Sequence, residues 1–339
     1  MVASGTSRIK RGVTLYSYQE EYHTGAMTLE DCLAELASMG TEGVELLPEQ
    51  MVPDYPNPPQ RWVDEWHSLL DKYHLKPACM DTFVDVTWGG HREMSLQESV
   101  EVLATQMRLC KRLGFKVMRP TAGPGPVPDG AVAMIRAALP CAAQYDVKIA
   151  VEIHSPTRLR SKFIDDYLEL IAQTGTKHFG FLPDMGIFCK RIPRVVTEHF
   201  LRRGASQAVA QYVTSAFADG VAAATIADEV KKMSASEVDR LLGISTLFYG
   251  WPGNDPRDLL NVAPYIYHLH GKFYEMTEDM QEYSIPYDQI VPVLIECGCT
   301  AYIDSEYEGQ RLTQDAFETD SCEQIRRHQL MLKRLLRES

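Results

Sequence analysis

Short apolar runs of β type alternate with amphipathic helical stretches eight times along the chain, and nothing else in the sequence restricts the fold as much. Strands are expected over 12–17, 43–47, 75–80, 116–119, 147–153, 178–182, 264–270 and 300–304. Between them lie helical patterns over 28–39, 60–73, 95–113, 129–145, 164–173 and 287–297. Local signals set several boundaries: Thr28-Leu29-Glu30-Asp31 reads as a capping box, and Gly40 as a helix stop. Residues of about 190–262 are helical in character with no strand pattern, which marks an insertion between the sixth and seventh strands. A basic amphipathic segment over 324–336 is expected to dock on the body of the protein.

Strands separated by helices pair in parallel, because a parallel pair needs a crossover long enough to return the chain to the same edge. Eight such units favour a single (β/α)8 TIM barrel, one domain over 1–339, rather than an open doubly wound sheet. At 45% hydrophobic and 24% charged residues the chain can bury a large core. Its 34 Lys and Arg face 46 Asp and Glu, a formal charge of −12, which argues against nucleic acid or an anionic membrane as partner. The N-terminal stretch has basic residues but no apolar region after them, and no run reaches membrane-spanning length, so a cytoplasmic protein is expected. The eight cysteines include no C-x-x-C pair and read as reduced thiols, with Cys297-Gly298-Cys299 as a helix-to-strand turn.

Chemistry is concentrated at the strand ends. The fifth run, Val147-Lys148-Ile149-Ala150-Val151-Glu152-Ile153-His154-Ser155-Pro156, finishes in a carboxylate and an imidazole, which period-two alternation puts on one face. In a barrel the following strands bring Asp184, His270 and Glu306 to the same mouth, at separations of about one βα unit apart from the insertion. Three carboxylates and an imidazole suit a divalent ion, and an oxygen-rich shell favours Mn²⁺, with Mg²⁺ or Co²⁺ as alternatives. His268 shares a strand face with His270; the latter lies nearer the mouth and is taken as the ligand, leaving His268 a role behind it or in the lining of the substrate site. Trp88, His91, Arg119, Lys272, Tyr274 and Arg311 are further candidates to line a substrate. Gln19, Glu21, Tyr22 and His23 are similarly placed after the first strand.

As a set, Glu152, Asp184, His270 and Glu306 resemble the metal ligands of the xylose-isomerase-like TIM barrels, a family of sugar isomerases, ketose 3-epimerases and inosose dehydratases. The resemblance covers about residues 12–336. Ketose 3-epimerases typically follow the first Glu with Pro and an aliphatic residue, and the Asp with a His three positions on. Here Ile153-His154 and Met185-Gly186-Ile187 stand instead. Glu-x-His-Ser-Pro, the insertion and the length resemble the large (alpha) subunit of bacterial C-glycoside deglycosidases. That resemblance implies cleavage of the carbon–carbon bond of an oxidised aryl C-glycoside: C2 proton abstraction, then β-elimination, with a small β-rich partner subunit in a hetero-oligomer. His154, an imidazole two residues from Glu152 on the same face, is the expected base, acting with Glu152 and Glu306 as the catalytic set. No G-x-G-x-x-G follows a strand, so a separate sugar oxidoreductase upstream must supply the 3-oxo group. Two alternatives stay open: a metal-dependent keto-sugar isomerase or 3-epimerase, and a non-catalytic carbohydrate-binding barrel.

Overall fold

The computed structural model describes residues 7–84, 94–121, 130–233, 236–249, 254–317 and 319–338. Eight strands form one sheet: β1 Lys10–Thr14, β2 Gly43–Leu46, β3 Lys76–Phe83, β4 Val117–Thr121, β5 Lys148–Ile153, β6 Phe179–Pro183, β7 Leu269–Phe273 and β8 Tyr302–Tyr307. Their order is β6-β5-β4-β3-β2-β1-β8-β7, and every ladder is parallel. The two ends of that order, β6 and β7, meet through isolated parallel bridges, Phe181 with Ile266 and Asp184 with His270. Tyr267 N also donates to the Phe181 carbonyl at 3.0 Å. The sheet is therefore a nearly closed TIM barrel, whose two end strands are joined by bridges in place of a full ladder. The second bridge sets Asp184 and His270 side by side.

Helices cover the outside and bury one face each. Leu29–Ser38 and Leu96–Arg112 both start in capping boxes, Thr28 with Asp31 and Ser95 with Glu98, which satisfy amide groups that a helix start leaves unbonded. On Gln60–Tyr73 the fully buried Trp66 stacks on Phe115 at 5.8 Å and donates its indole N–H to the Leu113 carbonyl. The last helix, Ser321–Leu336, packs Ile325, His328, Met331, Leu332 and Leu336 against the barrel. Between β6 and β7 run Arg194–Arg202, Gln207–Ala218, Ala223–Met233 and Glu237–Ser245, then short 3₁₀ turns as far as Tyr265. All eight cysteines are free, and Gly298 takes a left-handed φ of 70° in the turn between Cys297 and Cys299. Among the described residues, no helix is long and apolar enough to cross a membrane.

Several strand boundaries differ from the sequence expectation, among them those of β1, β7 and β8. β1 stops at Thr14, whose hydroxyl accepts from Tyr16 N and opens a 3₁₀ turn, Leu15–Tyr18, where the apolar pattern suggested more strand. β7 begins at Leu269 rather than 264, because Pro264 lacks an amide donor and sits in the turn Ala263–Tyr265. β8 continues to Tyr307 instead of ending at 304, so Glu306 lies inside the strand and not beyond it.

Candidate metal centre

Strands β5 to β8 each contribute one group to a cluster at the carboxyl end of the barrel. One ligand atom from each of Glu152, Asp184, His270 and Glu306 lies within 4.8 Å of all the others. His270 Nδ1 is 2.8 Å from Glu152 Oε1 and 3.2 Å from Glu306 Oε2. Asp184 is fixed by the turn Met185–Phe188, where Gly186 N donates to its Oδ1 at 2.6 Å. A Cβ on residue 186 would stand 3.0 Å from that oxygen and 3.2 Å from Lys272 Cδ, so glycine lets the turn close over the carboxylate. Lys272 Nζ lies 2.8 Å from Asp184 Oδ2 and 3.4 Å from Glu306 Oε2. Those two oxygens are buried and receive no well-aligned hydrogen bond, a deficit that a cation relieves. Three carboxylates, one imidazole nitrogen and two such oxygens fit a hard divalent ion, whose charge together with Lys272 cancels that of the carboxylates.

The field at the cluster is strongly negative. Burial alone raises the Glu152 carboxyl, but Arg119 and His270 beside it hold it well below the ordinary carboxylate range. Glu306 behaves likewise: burial opposes ionisation, and His270 and Lys272 outweigh it. Asp184 goes the other way, raised by burial that Lys272 and His154 only partly offset. Burial should depress His270, yet Glu306, Glu45 and Glu152 push it well above the usual imidazole value. The surroundings thus favour positive charge at His270 Nδ1, where either a proton or a metal ion can supply it.

His154 stands at the rim. Its Nε2 is 3.6 Å from Asp184 Oδ2, its Nδ1 is 2.6 Å from the Ser155 carbonyl oxygen, and its side chain is 42% exposed. A proton on Nδ1, donated to that carbonyl, leaves Nε2 as the acceptor nitrogen, on the side of Asp184. Nearby, Glu308 Oε1 lies 3.4 Å from Lys272 Nζ and accepts from Tyr16 Oη at 3.4 Å. Arg311 stacks over the Tyr16 ring and reaches Gln19 Oε1. Tyr274 is buried, edge-on to Tyr249 at 5.5 Å. Trp88 and His91 lie outside the described residues.

A family profile described as xylose isomerase-like TIM barrel matches residues 33–272. The chain belongs to that family. Within the xylose isomerase-like barrels it is 28% identical, over 91% of each chain, to a 3'-dehydrocarminate deglycosidase alpha subunit from Microbacterium sp. A C-glycoside deglycosidase alpha subunit from Arthrobacter globiformis is 26% identical over 98% of this chain and 94% of its own. Among solved structures, the complex of D-allulose 3-epimerase from Methylomonas sp. with D-allulose superposes with a TM-score of 0.58. It is 13% identical and 97% of each chain is covered, a likeness of fold.

Two expected lining residues sit elsewhere in this family barrel. His268 is fully buried below the cluster, with Nε2 3.0 Å from Glu45 Oε2 and 3.3 Å from Asp304 Oδ2, because it stands at the entry to β7, two residues before His270, and so lies one layer deeper. Arg119 is only 6% exposed: it pairs with Asp81 and lies 3.4 Å from Glu152 Oε2, serving the ligand rather than the opening. Sequence reasoning missed Glu45, Asp81, Asp304 and Glu308. A signal for the first three was present, since each is a carboxylate embedded in an apolar strand, where an unpaired charge is too costly to tolerate.

Proposed function

We propose that this protein is the metal-dependent catalytic subunit of a C-glycoside deglycosidase, cleaving the C1–aglycone bond of 3-oxo-C-glycosides. The observation that carries the reading is the partly exposed His154 at the edge of the four-group cluster, its Nε2 3.6 Å from Asp184 Oδ2. The deglycosidase names of relatives matched along nearly the whole chain support it. Glu152, Asp184, His270 and Glu306 would hold the ion, Mn²⁺ in our reading. When bound, the ion supplies Lewis acidity toward the sugar carbonyl that makes the neighbouring C–H removable.

The protein groups then divide the work. His154 Nε2 takes the C2 proton, and the C–H electron pair becomes a C1=C2 double bond. The C1–aglycone bond breaks, its electrons pass to the aromatic aglycone carbon, and that carbon takes up a proton. No oxidant is consumed in this step, consistent with a 3-oxo group introduced by a separate oxidoreductase. The Lys272 ammonium, beside Asp184 and Glu306, offers positive charge to oxygen that becomes negative as the proton leaves. Ordinary two-carboxylate hydrolysis depends on an oxygen leaving group, which a C-glycoside lacks.

The alpha-subunit names of the relatives support a partner subunit, which we take to be small and β-rich, in a hetero-oligomer. The test is to supply the Mn²⁺-loaded protein, alone and with such a subunit, with a 3-oxo-C-glucoside and separately with D-psicose. Release of free aglycone is expected. Interconversion of D-psicose and D-fructose with the glucoside left intact would replace this reading by an epimerase.

A further inference from the structure

We propose that Glu45 is a positioning residue for the metal centre, fixing His270 by its far nitrogen while His268 and Asp304 fix Glu45. The proposal rests on the metal reading above. Glu45 on β2, His270 on β7, Asp304 on β8 and His268 just before β7 are all fully buried inside the barrel. Glu45 Oε2 lies 3.2 Å from His270 Nε2 and 3.0 Å from His268 Nε2, and the latter nitrogen lies 3.3 Å from Asp304 Oδ2. The two imidazole rings stand perpendicular, with centroids 6.1 Å apart, so one carboxylate oxygen meets a ring edge of each.

With an ion at Nδ1 the ring proton must sit on Nε2, where the Glu45 carboxylate accepts it, while Nδ1 faces Glu152 and Glu306. Space for the chain of groups is built into the barrel. A Cβ on Gly12 of β1 would overlap the Asp304 carboxylate, so only glycine there admits it. An apolar filling of the same volume costs less than buried ionic groups, so the arrangement needs a reason beyond stability, and orientation of a ligand supplies one. Glu45 also lies within 4.8 Å of ligand atoms of Cys79 and His268, a rival arrangement that can hold an ion of its own.

The test uses the full-length chain stripped with a chelator and titrated with Mn²⁺, free ion being read by electron paramagnetic resonance. Wild type is expected to bind one ion. Glu45→Gln should weaken binding about ten- to a hundredfold, and Asp304→Asn should shift affinity the same way by less. The Co²⁺-loaded Glu45→Gln variant should show altered d–d bands. Nitrogen-15 NMR of the Mg²⁺-loaded wild type, which needs no variant to fold, should find the His270 proton on Nε2. A wild type that binds no Mn²⁺ overturns the metal reading and this role with it. Unchanged affinity in a folded Glu45→Gln variant, a proton on His270 Nδ1, or two ions per wild-type chain overturns the positioning role alone.

Discussion

At the scale of single residues, holding an ion and moving a proton fall to different side chains. His154 touches the cluster only at 3.6 Å, from a half-exposed position, so it is the group to alter without dismantling the site. His154→Ala should lower kcat about 10²- to 10⁴-fold while Mn²⁺ affinity stays near wild type. Steady-state kinetics beside a metal titration would read both, and full activity in the variant would remove the base assignment. The four proposed ligands were legible because each is a polar group where an apolar run ends, and the runs recur at βα spacing. Glu45, Asp81 and Asp304 showed only as carboxylates inside apolar runs, and nothing in the sequence named their partners. Their partners sit across the barrel interior, as Glu45 does with His268 and His270, and only register brings such pairs together. His268, expected either behind the ligand or in the lining, stands behind it, because two residues along a strand is one full layer of a barrel.

At the scale of elements, the alternation of strand and helix carried nearly all of the fold, and errors collected at strand ends. Pro264 and Thr14 each convert an apolar stretch into a 3₁₀ turn, and β8 extends through polar residues because the upper barrel layer is itself polar. The helix Ser321–Leu336 gives a test of packing by titration. Burial pushes His328 down from 6.5 to about 3, with Nδ1 paired to Ser305 Oγ at 2.7 Å and the ring stacked on Phe273 at 4.2 Å. The folded chain keeps this imidazole neutral, whereas the unfolded chain takes up a proton below 6.5. Stability from His328 is therefore full above that value and is lost as pH falls toward 3. Thermal melts of wild type and His328→Gln between these limits should show a shallower acid decline in the variant. Parallel declines would contradict a neutral buried imidazole.

At the scale of the whole molecule, four strands must close to assemble the proposed ligands, so ion binding there would be linked to folding. Mn²⁺ at about a hundred times its dissociation constant should stabilise the protein by about 2.7 kcal/mol, seen as a rise in melting temperature that a chelator reverses. A melting curve indifferent to both would argue against a metal centre. The formal charge of −12 spread over a closed barrel suits a small sugar ligand better than a polyanion. The central claim is proton removal at C2 followed by loss of the aglycone, and it is tested most directly with a 3-oxo-C-glucoside carrying deuterium at C2. Mass spectrometry of the products from Mn²⁺-loaded protein, assembled with its partner subunit, should show free aglycone and a C1–C2 unsaturated sugar without deuterium, and chelator-stripped protein should release neither. Cleavage with the deuterium retained at C2, or cleavage unaffected by chelation, would contradict it.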